Sequence, residues 1–101
     1  MIRHIVALNF TDGTSDEVKQ GIYDDLAALK IDGIVDFQAR KNVSVEDAVV
    51  RGFWDLFWFD FRDVAVRDAY LANAEHQAIG TRIVANCAGG ADGVLVMDVE
   101  I

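Results

Sequence analysis

Apolar positions along the chain change from every second residue to every third or fourth and back, and those changes mark out its elements. Residues 2–10 alternate, with Ile2, His4, Val6, Leu8 and Phe10 on one side and Arg3, Ile5, Ala7 and Asn9 on the other, which predicts a strand apolar on both faces and therefore central. Thr11-Asp12-Gly13 is turn chemistry. Thr14, followed three residues later by Glu17, predicts a capping box that opens a helix over about 15–30, where Val18, Ile22, Leu26 and Leu29 form one stripe. After Asp32-Gly33, residues 34–43 set Val35, Phe37 and Ala39 against Asp36, Gln38 and Arg40, the pattern of an edge strand with a wetter face.

The densest apolar stretch follows a connection over residues 44–52. In a strand over 53–61, Phe53, Phe57, Phe59 and Phe61 point one way while Trp54, Leu56 and Trp58 point the other. Helices of the same chain can cover one of these faces. So short a chain has few elements left for the other, so Trp54, Leu56 and Trp58 are expected to meet a second copy, giving a homodimer.

Asp63 is placed to cap a short helical stretch through Val64 and Leu71, and Asn73 to cap a second start at Ala74. Ala78, Ile79, Ile83, Val84 and Cys87 carry that second apolar face toward a stop at Gly89-Gly90, and Asp92-Gly93 turns the chain into a last strand, 94–101. The order β-α-β-β-α-β predicts an α+β, ferredoxin-like fold: a four-stranded antiparallel sheet with helices on one face, in a single domain over residues 1–101.

Composition narrows the function classes. A net charge of -8 argues against nucleic acid and anionic membrane as partners, which need cations to neutralise phosphates. The single Cys87 permits no internal disulfide, and the N-terminal apolar run is too short for a signal peptide or span, so a cytoplasmic protein is expected. Two histidines far apart, without a clustered carboxylate, give no metal site, and Gly89-Gly90-Ala91-Asp92-Gly93 lacks the Lys of a phosphate loop. The adjacent carboxylates Asp16-Glu17, Asp24-Asp25 and Glu46-Asp47 read as solvated surface.

Met1-Ile2-Arg3-His4-Ile5-Val6, Thr11-Asp12-Gly13-Thr14, Asn42-Val43-Ser44, Arg51-Gly52-Phe53 and above all Ala69-Tyr70-Leu71-Ala72-Asn73-Ala74-Glu75-His76 together resemble the stress-responsive dimeric A/B barrel family along the whole chain. The resemblance implies a dimeric α/β barrel. Where that family usually carries a His-Pro-x-His run after Tyr-Leu, this chain has Asn73 and Ala74 and keeps the final His76. Many members are known only as stress-associated proteins. A characterised plant member, a polyketide cyclase, closes a linear chain without a cofactor. Carried over by position, that resemblance implies Tyr70, His76 and His4 as catalytic residues and no cofactor.

The chemistry of these side chains is compatible with such a role. An imidazole in the first turn of a helix is disfavoured as a cation, so His76 is expected to stay neutral and able to take a proton from a carbon next to a carbonyl. Tyr70 is the donor that would hold the resulting enolate, and His4, among Val6 and Leu8, would orient the ligand. Val6, Leu8, Ile22, Tyr23, Leu26, Phe57, Phe59, Ile79, Gly80 and Ile83 are the expected walls of an apolar ligand pocket, with Gly80 leaving room. The same residues would equally serve as a filled core. Three functions follow: an enzyme or binder for a small apolar carbonyl compound, a stress-related structural dimer with a filled pocket, or a ligand carrier without turnover.

Overall fold

Strands β1 (Ile2–Leu8) and β3 (Asp55–Phe61) lie side by side in the middle of a four-stranded antiparallel sheet, with β2 (Ile34–Lys41) beyond β3 and β4 (Val94–Glu100) beyond β1. This is the arrangement in a computed structural model that describes residues 1–101. The two strands that are apolar on both sides are the two that have a neighbour on each edge, as burial on both faces demands.

Register fixes what each face carries. His4 stands between Phe59 and Asp98, and Val6 between Phe57 and Val96, so these side chains share the inner face. Ile5 stands between Trp58 and Met97, and Ala7 between Leu56 and Leu95, on the outer face. Helices α1 (Asp16–Ala27), α3 (Val64–Ala72) and α4 (Ala74–Ala85) cover the inner face. They bury Ile22 and Leu26, Val66 and Tyr70, and Ile79 and Ile83 against Val6, Leu8, Phe57, Phe59 and Phe61. Each such side chain contributes about 1.5–3 kcal/mol relative to an exposed one, which makes this layer the stable part of the molecule.

Several boundaries differ from the sequence expectation. Ser15, not Thr14, caps α1: its hydroxyl accepts from Val18 N at 3.2 Å, while the Thr14 hydroxyl donates to the Thr11 carbonyl at 2.8 Å and holds the turn. Strand β1 stops at Leu8 and α4 stops at Ala85, short of the glycine pair, because the two exits bond to each other. Thr11 N donates to the Asn86 carbonyl at 2.9 Å and Ala88 N to the Asn9 carbonyl at 2.8 Å, leaving Phe10 and Cys87 as an isolated bridge. In β2 the register slips between Ile34 and Asp36, which turns Val35 out to solvent at 57% exposure instead of setting it beside Phe37.

The aromatic stretch also begins later than its alternation predicts. Arg51 and Gly52 both have left-handed backbone, with φ of 58° and 82°, and this reversal breaks the period-two pattern ahead of Asp55. Phe53 therefore does not join Phe57 in the core. It lines a groove on the outer face with Ile5, Ala7 and Leu56, and the short helix α2 (Asp47–Val50) forms the rim of that groove through Val49 and Val50. Trp54 leaves the outer face altogether and stands beside the turn over residues 9–14, 41% exposed.

Candidate functional site

The junction between α3 and α4 is a single residue, and it assembles the site. Asn73 adopts extended backbone (φ -71°, ψ 127°), which ends α3 and lets its side chain accept from His76 N at 2.9 Å to start α4. Its own N–H donates to the Tyr70 carbonyl at 3.1 Å. The break folds the last turn of one helix back over the first turn of the next. The Tyr70 and His76 rings consequently lie 3.8 Å apart between centroids, inclined by 33°. His4 reaches the same cluster from β1, its ring edge-on to Tyr70 at 5.3 Å.

These three side chains share the wall of an apolar cavity of about 200 Å³. Val6 and Phe57 from the sheet and Gly80 and Ile83 from α4 line it as the sequence suggests, and a Cβ added at Gly80 would meet nothing within 4 Å. Other expected wall residues belong elsewhere. Leu8, Ile22, Leu26 and Phe59 are at most 1% exposed and interlock as solid core between α1 and the central strands, with no face left for a ligand. Ile79 faces a cleft between α1 and α4, and Tyr23 lines another cleft with Lys41 and Asp55. Leu71, Val84, Val94 and Val96 complete the cavity, and Val96, on the edge strand, is 51% exposed. The alternation of β4 marks Val94 and Val96 as one face; nothing in the sequence shows that the face looks onto a cavity.

The polar groups of the site are unevenly satisfied. His4 is 4% exposed, and its Nδ1 donates to Asp98 Oδ1 at 2.6 Å, since a carboxylate can only accept. Arg67 Nη1 holds the other oxygen of Asp98 at 3.2 Å while its Nε donates to Asp68 at 3.1 Å. An Arg67–Asp98–His4 chain thus ties helix α3 to both β4 and β1. Register alone brings Asp98 beside His4, so the carboxylate was not legible as a site residue from sequence. His76 Nδ1, by contrast, is buried without a partner.

Burial lowers the His76 pKa below the usual histidine value, the proximity of His4 lowers it further, and the Tyr70 carbonyl, already engaged by Asn73, offsets this only in part. The helix terminus invoked from sequence is not among these causes. Burial alone raises the Tyr70 phenol well above its ordinary value, so it stays a neutral donor. Burial likewise raises Tyr23, helped by Asp55, and its hydroxyl is buried with no partner.

The outer face carries a different chemistry. Leu56 lines the groove of about 560 Å³ with Ile5, Leu95 and Met97. Trp58 lies between two cations, with the guanidinium carbons of Arg3 and Arg40 at 5.5 and 5.9 Å from its ring centroid. Arg3 is fixed by a two-pronged bond to the buried Asp60 at 2.8 and 3.0 Å. No group of three or more His, Cys, Asp or Glu residues is placed to hold a metal ion, and no helix is long and apolar enough to cross a membrane.

Comparison with known proteins agrees with this architecture. The family model described as Stress responsive A/B Barrel Domain matches residues 2–101, and the chain belongs to that family. A dimeric ferredoxin-like protein of unknown function from Jannaschia sp. CCS1 is similar over 99% of this chain and 98% of its own, at 30% identity and a TM-score of 0.80. A protein from Arabidopsis thaliana is 25% identical over 100% of this chain and 95% of its own, with a TM-score of 0.86. The hydroxynitrile lyase of Passiflora edulis, 16% identical over 99% of this chain and 92% of its own, shares the fold with a TM-score of 0.81. No curated protein matches the sequence.

Proposed function

We propose that the protein is a cytoplasmic homodimer whose cavity binds a small, largely apolar carbonyl compound and turns it over without a cofactor. The observation that carries this reading is the convergence of His76, Tyr70 and His4 on one apolar cavity in which His76 Nδ1 has no partner. A buried unsatisfied nitrogen costs about 1–3 kcal/mol, a cost that a bound polar group offsets.

His76 is the base. Kept neutral by burial, it takes the proton from the carbon next to the carbonyl, and the electron pair moves onto the carbonyl oxygen. Tyr70, kept protonated by burial, donates to the enolate oxygen. The enolate then either regains its proton elsewhere, which is isomerisation, or attacks a second carbonyl in the same molecule, which is ring closure. His4, oriented by Asp98, contacts the ligand from the sheet side.

The same chemistry gives a direct test. In D2O, the protein is expected to catalyse exchange of the α-protons of small β-diketones, read by proton NMR, and His76→Gln is expected to reduce that exchange at least about a hundredfold, the lower end of what one general base supplies. Binding without exchange would leave a carrier. Neither binding nor exchange would leave the structural dimer.

Dimerisation is supported by the outer face, where Leu56, Trp58 and Met97 stand apolar with only the short α2 at the rim, and by the dimeric Jannaschia protein. Nucleic acid is not expected as a partner of a chain with a net charge of -8.

A further inference from the structure

Phe57 occupies a position with two sides. Its ring lines the His76 cavity and also lies edge-on to Tyr23, with centroids 6.4 Å apart, and Tyr23 in turn lines a separate cleft of about 400 Å³ with Gln20, Ala39, Lys41 and Asp55. Phe57 thus stands between the cavity and a tyrosine whose hydroxyl is buried and unpartnered. Phe37 backs the same ring at 5.9 Å and Phe59 at 6.1 Å, so Phe57 is held in place rather than free to swing aside.

The size of the space in front of that ring limits how much of a ligand is buried. A cavity of about 200 Å³ holds on the order of seven groups the size of a water molecule, at about 30 Å³ each. A carbonyl group with its two flanking carbons takes up more than half of that. What is left admits a tail of about three carbons.

Building on the carbonyl-binding reading of the site, we propose that Phe57 determines ligand length. It is the floor that confines the cavity to carbonyl compounds with a short apolar tail, and removing it joins the cavity to the Tyr23 hydroxyl. The wild-type site then buries about seven non-hydrogen atoms of a ligand. A chain with Phe57 shortened takes longer ligands, and prefers those whose far end carries a hydrogen-bonding group for Tyr23 to meet.

The experiment is a titration of the full chain, by calorimetry, with straight-chain 2-alkanones of increasing length, comparing wild type with Phe57→Leu and Phe57→Ala. Each buried methylene strengthens binding about fourfold, so the wild-type affinity is expected to climb and then stop at about seven non-hydrogen atoms. The stop is expected to move outward by about one or two carbons in Phe57→Leu and about three or four in Phe57→Ala. In the Phe57→Ala background, an alkanone with a terminal hydroxyl is expected to lose about fivefold in affinity when Tyr23 becomes Phe.

Phe57→Leu retains an apolar core side chain and provides the measurement if Phe57→Ala does not fold. A stop at the same length in wild type and folded variants overturns the proposal while leaving the site reading intact. Absence of binding by every alkanone to wild type and folded variants alike overturns both. Unmoved preference for the hydroxyl-tipped ligand on Tyr23→Phe overturns the part assigned to Tyr23.

Discussion

The imidazole of His76 lies against the phenol ring of Tyr70 with 3.8 Å between centroids, although six positions separate them and each belongs to a different helix. Asn73 makes this contact by ending one helix and capping the next. Histidine and proline, usual in the family at the Asn73 and Ala74 positions, are absent, yet the side chain of Asn73 still provides the cap. Burial of His76, with His4 close to it, sets the pH behaviour of the site.

Because burial holds the His76 pKa below its unfolded value near 6.5, the neutral form is the one the fold favours. A histidine depressed in the folded state contributes stability that is fully present above the unfolded pKa and is lost as pH falls through the folded one. Wild-type stability is therefore expected to decline as pH drops below about 6.5. His76→Gln is expected to flatten that part of the profile. Urea unfolding at a series of pH values checks this, together with the His76 ring titration by NMR, whose midpoint is expected below that of an exposed histidine.

Asp98→Asn removes the charge that His4 and Arg67 share. It is expected to lower stability by about 1–3 kcal/mol, because the His4 Nδ1–H is buried and loses a charged acceptor. Arg67→Ala is expected to cost less than Asp98→Asn, since the Arg67–Asp98 bond is open to solvent. Chemical denaturation of the two variants orders them, and a larger loss from Arg67→Ala would refute the assignment of Asp98 as the orienting partner of His4.

Gly80 separates stability from binding. It lies inside α4 with open space where a Cβ would be, so Gly80→Ala is expected to stabilise the helix by up to about 1 kcal/mol. The same methyl group enters the cavity and is expected to weaken binding of a small ketone. Thermal unfolding and titration on one sample read both signs.

On the outer face, Leu56→Asp is expected to shift the proposed dimer to monomer in sedimentation at micromolar concentration, since an unpaired charge would be buried among Ile5, Leu95 and Met97. Trp58→Asp is expected to be the milder change, because Arg3 and Arg40 flank that position and would pair with the new carboxylate.

Much of this was present in the order of residues. Alternation in 2–10 and 53–61 placed β1 and β3 in the centre, and Asp63 and Asn73 announced the two helix starts they cap. Phe53 and Val35 misled because a left-handed pair at Arg51-Gly52 and a slipped register in β2 break the alternation by which strand faces are assigned. The pocket is smaller than its apolar pattern suggests for a related reason: Leu8, Ile22, Leu26 and Phe59 have the same apolar signature as true wall residues, and periodicity cannot tell a filled interface from a cavity.

What the sequence determined by itself is the set of local choices: periods, caps, turns and the acidic surface, each settled by residues within a few positions of one another. Which residues meet across the chain depends on packing in three dimensions. Asp98 reaches His4 through strand register, Arg67 reaches Asp98 across a helix–strand contact, and Phe57 stands between a cavity and Tyr23 because α1 and α4 pack side by side over the sheet. Those relationships depend on contacts between residues tens of positions apart, and a one-dimensional pattern carries no record of the distances between them.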